Sequence, residues 1–170
     1  GLSGLSPAPA VATSADLGLR PAMRLEAPLV QVKRVPAGQA VSYGGTWTAP
    51  TDRWLGLVPL GYADGILRAG SKGARVLVEG RKAITTRVVG RICMDQFIVD
   101  LGPAEGEPGA PSARSGRPPA RVGDTAPLFG DPDRGAPSAD EWAQAAGTIN
   151  YEIVTRLGER VPRVHLSAAE

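Results

Sequence analysis

The chain is poor in the residues that build metal centres and disulfides. Its 170 residues hold one cysteine, Cys93, and one histidine, His165. A single Cys forms no internal disulfide, which is compatible with a reducing cytoplasm. A single His argues against a His-based metal site and against a Ser-His-Asp triad. His165 reads as an edge-strand side chain and Cys93 as a buried, inert thiol. There are three lysines, Lys33, Lys72 and Lys82, and Gly61-Tyr-Ala-Asp-Gly65 has neither the lysine nor the spacing of a phosphate-binding Walker loop. Net charge is +2 and no basic run exceeds two residues, so nucleic acid is not an expected partner. No apolar run approaches a membrane span, and no signal-peptide pattern is present. No membrane partner is expected either.

Turn-forming residues, by contrast, are abundant. The 22 glycines and 16 prolines favour short strands over long helices. The 42% hydrophobic fraction is enough for one domain with a proper core. Residues 1–28 read as an extended linker into that domain, with Gly-Leu-Ser occurring twice in succession. Strand-like runs follow at Leu29–Val35, Ala40–Tyr43, Thr46–Thr48 and Trp54–Leu60. Arg75–Val78 and Ala83–Val89 flank a turn and read as a hairpin. Phe97–Leu101 and Thr125–Phe129 are further strands, and Val161–Leu166 a last one. Residues 103–120 carry almost no large apolar side chain and read as a disordered insertion, and 167–170 as a tail. Ser138-Ala-Asp-Glu141 is a capping-box pattern, with Trp142, Ala145 and Ala146 on the helix's buried stripe. Asn150 can cap a second short helix, closed by Gly158. The expected fold is mainly β: a small closed β-barrel of Greek-key-like design with one late helical pair.

Three tyrosines remain as candidates for chemistry, each in turn or cap surroundings. They are Tyr43 in Val41-Ser-Tyr-Gly-Gly-Thr-Trp47, Tyr62 in Gly61-Tyr-Ala-Asp-Gly65 and Tyr151 in Ile149-Asn-Tyr-Glu152. Gly44 and Gly45 permit positive φ and let another group approach the backbone. Arg91-Ile-Cys-Met-Asp-Gln96 has the same look of polar residues in an apolar frame. The four segments are expected to converge on one site, with Tyr43 doing proton chemistry. The alternative for any one tyrosine is a core-edge ring whose hydroxyl is tied down.

Taken in order, these four segments, with Arg160-Val-Pro-Arg-Val164, resemble the signature blocks of the alanine racemase C-terminal domain. The resemblance runs over nearly the whole chain, with residues 103–120 as an insertion. It implies a two-domain enzyme using pyridoxal 5'-phosphate (PLP). An N-terminal α/β barrel would carry the Schiff-base lysine, and the β domain would supply the opposite base across a homodimer interface. By resemblance, Tyr43 matches the catalytic tyrosine. Tyr151 matches the tyrosine that meets the cofactor phosphate. Tyr62 matches an entryway tyrosine, and Met94 the residue whose backbone amide meets the substrate carboxylate. Arg68, Arg91, Asp95 and Ile149 match entry-corridor positions, for which a solvated salt bridge at a barrel rim is the plainer alternative. The implied activity interconverts L- and D-alanine for peptidoglycan synthesis in a bacterial cytoplasm. Removing the Cα proton from one face and returning it on the other needs two bases. A phenol, which titrates at about pH 10 in water, needs a nearby cation or donor to serve as one. None of Lys33, Lys72 and Lys82 lies in a motif matching the Schiff-base site, so the chain is expected to hold half an active site. Two other readings stand beside this one: a broader amino-acid racemase of the same fold, and a non-catalytic β-barrel module for dimerisation or binding.

Overall fold

The computed structural model describes residues 3–104 and 116–166. Among these residues nine strands form in chain order: β1 (Leu25–Pro28), β2 (Gln31–Val35), β3 (Ala40–Val41), β4 (Trp47–Thr48), β5 (Arg53–Val58), β6 (Arg75–Glu79), β7 (Ala83–Val89), β8 (Phe97–Pro103) and β9 (Thr125–Phe129). Two helices follow, α1 (Ala139–Ala146) and α2 (Asn150–Thr155). Seven strands make one antiparallel sheet in the order β1-β9-β6-β7-β8-β5-β2, and β3 and β4 pair separately. β6, β7 and β8 form a meander and β5 returns beside β8, which is a Greek-key arrangement.

The two edges of this sheet are one run of chain. Only Leu29 and Val30 separate β1 from β2; Leu29 N–H donates to Asp124 O and Val30 N–H to Leu57 O. The run leaves β9 and joins β5, so the sheet curls on itself. The run thereby pairs one end of the sheet through β9 and the other through β5. Leu29, Val58, Val76, Val78, Phe97, Val99 and Leu128 are fully buried in the core.

The helices belong to the same core. Ser138 Oγ accepts the Glu141 N–H while the Glu141 carboxylate accepts the Ser138 N–H, which completes the capping box. The buried positions on α1 are Ala139, Trp142 and Ala143. Trp142 meets Phe97 edge to face at 6.4 Å, and its indole N–H donates to Leu128 O. Ala145 and Ala146, expected on that stripe, are half-buried: at 3.6 residues per turn Ala145 falls to the side of the face, and Ala146, though in line with Trp142 and Ala143, is the last residue of the helix.

Four expectations change. Residues 3–28 are not an extended tether. Leu5 and Ser6 are buried, Ser6 Oγ donates to Ala12 O at 2.6 Å, and Leu25–Pro28 is β1 itself. The first position of α2 is Asn150, but its side chain does not cap. The amide donates to Ser6 O at 2.9 Å and to Asp140 at 2.7 Å, so it binds the N-terminal segment to both helices. Val161–Leu166 pairs with no strand, and Val164, His165 and Leu166 are exposed. The core of the 103–120 insertion, residues 105–115, lies outside the described residues, as do 1–2 and the tail 167–170. The insertion's flanks are packed: Pro103 ends β8, and Ala104 and Ala120 are buried.

Candidate active site

The segment Gly90–Gln96, between β7 and β8, is the hub on which the candidate residues are assembled. Its N-terminal end carries the Tyr43 turn. Ser42 Oγ donates to Arg91 O at 2.7 Å, and the Arg91 guanidinium lies beside the Gly44 backbone. Its middle holds the Arg68–Lys72 3-10 turn: Ile92 N–H donates to Ser71 Oγ at 2.8 Å, and that hydroxyl donates to Arg68 O. Its C-terminal end carries the Tyr62 turn. Tyr62 N–H donates to Cys93 O at 3.0 Å and Ala63 N–H to Met94 O at 2.9 Å.

Two glycines are required by this packing. A Cβ on Gly61 would stand 2.2 Å from Met94 O and 2.3 Å from Cys93 O, so only glycine allows the two loops to touch. Gly90 has φ of 70°, and a Cβ there would stand 2.7 Å from the Ser42 Cβ. Gly44 and Gly45 do take positive φ. Ser42 is the surprise: φ 63° and ψ 178° place it in a region occupied almost only by glycine.

The consequence is an open depression of about 340 Å³ lined by Tyr43, Tyr62, Arg68, Arg91, Ile92 and Cys93. A neighbouring one of about 500 Å³ shares Tyr43, Arg91 and Cys93 and adds Ser42, Gly44 and Gln96 among others. Tyr43 is 75% exposed, and among the described residues nothing hydrogen-bonds its hydroxyl. Tyr62 is 44% exposed. Three of the four segments therefore meet, and Tyr43, Tyr62, Arg68 and Arg91 share one cavity. Met94 and Asp95 sit on the same loop, both exposed.

The fourth segment does not join them. Tyr151 and Ile149 line neither depression; the Tyr151 hydroxyl lies 3.4 Å from Leu5 O, and Ile149 is exposed. The reason is topological. α2 is fastened to the N-terminal segment through the buried Asn150, while the hub lies between β7 and β8.

Several residues of the site were not expected. Cys93 is half-buried, not buried, and lines both depressions, with its sulfur 3.6 Å from Ser42 Oγ. Asp64 is a carboxylate only 4% exposed; it accepts the Gly61 N–H at 2.8 Å and closes the Tyr62 turn on itself. Arg160 stands 3.3 Å from Asp64 and donates to Asp95 at 2.7 Å. The Asp95 hydrogen bond, with the Asp64 charge behind it, raises the Arg160 guanidinium above its already high ordinary value. The only sequence signal for Asp64 and Arg160 is their place inside the quoted motifs.

The lining offers two phenols, two guanidinium groups and a thiol, but no lysine; Lys72 lines a different cleft, beside Arg87. Among the described residues no cluster of three metal-ligating side chains exists, and no helix is long and apolar enough to cross a membrane.

Comparison with known proteins agrees with this architecture. The sequence profile of the alanine racemase C-terminal domain matches residues 22–165. The alanine racemase of Streptomyces coelicolor is 54% identical over 96% of this chain, and that of Mycolicibacterium smegmatis 47% identical over 99%. The chain spans 38% and 39% of their lengths. Among solved structures, alanine racemase from a D-cycloserine-producing Streptomyces lavendulae superposes with a TM-score of 0.83 at 50% identity, over 99% of this chain and 40% of that one. Alanine racemase from Bacillus anthracis with bound L-Ala-P superposes at 0.78 with 33% identity, over 99% and 39%. The chain belongs to the alanine racemase C-terminal domain family.

Proposed function

We propose that this chain is the β domain of a PLP-dependent alanine racemase and that Tyr43 is the acid/base on one face of the substrate. The carrying observation is the Tyr43 hydroxyl. It is exposed at the rim of a cavity shared with Tyr62, Arg68 and Arg91, and no described group ties it down. The substrate class comes from the relatives, which are named alanine racemases.

Bound PLP would supply the electron sink that makes a Cα proton removable. The chain's own residues do the rest on their side. Tyr43 Oη takes the proton from, or returns it to, one face. Tyr62 narrows the entrance so that a one-carbon side chain passes and larger ones are excluded. Met94 offers a backbone N–H that donates to nothing among the described residues and can receive a carboxylate. Arg68, Arg91 and Asp95 line the approach to Tyr43; Tyr151 serves the cofactor phosphate, and Ile149 the corridor on the Tyr151 side. Because Tyr151 lines neither depression at Tyr43, it serves a different site of the homodimer from the one Tyr43 serves. The lysine opposite Tyr43 belongs to the part of the relatives' length that this chain does not span. The cellular role is D-alanine supply for peptidoglycan in the cytoplasm.

Two experiments test this. The isolated chain should neither racemise alanine nor form a borohydride-trapped PLP adduct; an adduct on Lys33, Lys72 or Lys82 contradicts it. The full-length protein carrying Tyr43→Phe should lose conversion of L-alanine while keeping its cofactor. A substrate panel on the intact enzyme separates an alanine racemase from a broader one.

A further inference from the structure

We propose that Arg160 is a positioning residue, tying the buried Asp64 of the Tyr62 turn to Asp95 of the Met94 loop and so setting the spacing of the two loops at the cavity mouth. The inference rests on the proposed roles of Tyr62 and Met94. The geometry is that of a fork: Nε faces one carboxylate at 3.3 Å and a terminal nitrogen donates to the other at 2.7 Å. Arginine's rigid planar head fixes the separation of two acceptors as no flexible ammonium can.

The segment that carries Arg160 is itself anchored. Gly158 N–H donates to Asp64 O at 3.0 Å, and Val161 N–H turns back to Gly158 O. The base of the Gly65 turn presses on the Arg156 carbonyl so closely that a Cβ would stand 2.2 Å from it. One end of the fork is therefore fixed: Asp64 is buried and bonded to Gly61 N–H. The other end, Asp95, is exposed and on a loop. The bridge ties the exposed carboxylate to the buried one. A surface ion pair alone is worth little, but this one acts where the substrate carboxylate is to be received.

The test is steady-state kinetics on the full-length holoenzyme with Arg160→Gln, Arg160→Lys, Asp95→Asn and the Arg160→Gln/Asp95→Asn double variant. Arg160→Gln should raise KM for L-alanine about tenfold with kcat within about twofold, since a small misplacement of a binding group is costly. Arg160→Lys should recover part of the loss. The double variant should be no worse than the worse single one. Should Arg160→Gln fail to fold, Asp95→Asn, on the exposed side, carries the same KM prediction. A lowered melting temperature with unchanged KM makes the residue merely structural and overturns the proposal, as do additive effects in the double variant. An unchanged KM beside an inactive Tyr43→Phe overturns the bridge and leaves the proposed function standing. A raised KM beside a fully active Tyr43→Phe supports the bridge and overturns the assignment of Tyr43.

Discussion

Two tyrosine turns meet on one hub and are held in opposite ways. The Tyr62 turn is cross-linked: two backbone bonds to Cys93 and Met94, a buried carboxylate closing it, and Arg160 behind that. The Tyr43 turn hangs on the hub from one side chain, the Ser42 hydroxyl at Arg91 O and Cys93 Sγ, on a strained residue. The first wall of the cavity is preset, and the second leaves its phenol free for whatever completes the site. The contrast fits the proposed roles: an entrance that selects by size needs a fixed wall, whereas a proton-transferring group needs a partner from elsewhere.

The sharpest way to break this contrast is Gly61→Ala. The clash is with backbone carbonyls, which cannot rotate away, so a loss of about 3 kcal/mol is expected in denaturant unfolding. A loss under about 1 kcal/mol would mean that the loops are not fixed against each other. Next is Asp64→Ala, which removes the buried acceptor of Gly61 N–H and should cost about 2 kcal/mol by the same measurement.

Effects at the other turn should be smaller. Ser42→Ala loses a hydrogen bond and keeps the strain, for about 1 kcal/mol. Ser42→Gly loses the same bond but relieves a backbone strain of about 1–3 kcal/mol, so the two should nearly cancel. If Ser42→Gly proves the more damaging of the two, the strain at Ser42 is not real. Tyr43→Phe should shift the unfolding midpoint least of all, because nothing described bonds its hydroxyl.

Acid sensitivity is expected at two carboxylates elsewhere in the fold. The Ala37 N–H, helped by Arg34, holds the half-buried Asp52 carboxyl below its ordinary value. The Thr148 hydroxyl, helped by Arg156, does the same for Glu152. A depressed folded value stabilises the fold above about pH 4 and is lost as pH falls through the folded value. Asp52→Asn should therefore be slightly less stable than wild type at neutral pH, with the gap closing below about pH 4 in an acid titration followed by circular dichroism.

Local features were legible in the sequence. The Ser138–Glu141 box and the β6–β7 hairpin depend on neighbours a few residues away, and both stand as read. The three segments that meet at the hub were legible as motifs: two bear their own glycines, and the third sets polar residues in an apolar frame. Long-range ties were not. Ser6 and Asn150 meet across 144 residues and Arg160 and Asp95 across 65, with no periodicity to announce either. Residues 3–24 lack strand or helix patterning, so their burial could not be read. Cys93 was misjudged because exposure depends on which loop passes over it.

The central claim is that Tyr43 moves a proton on one face of the substrate. The direct measurement is solvent deuterium incorporation at Cα, by mass spectrometry, in the full-length enzyme with Tyr43→Phe. Incorporation from L-alanine should vanish while incorporation from D-alanine persists and the cofactor absorbance stays. Incorporation at the wild-type rate from both enantiomers would contradict the account.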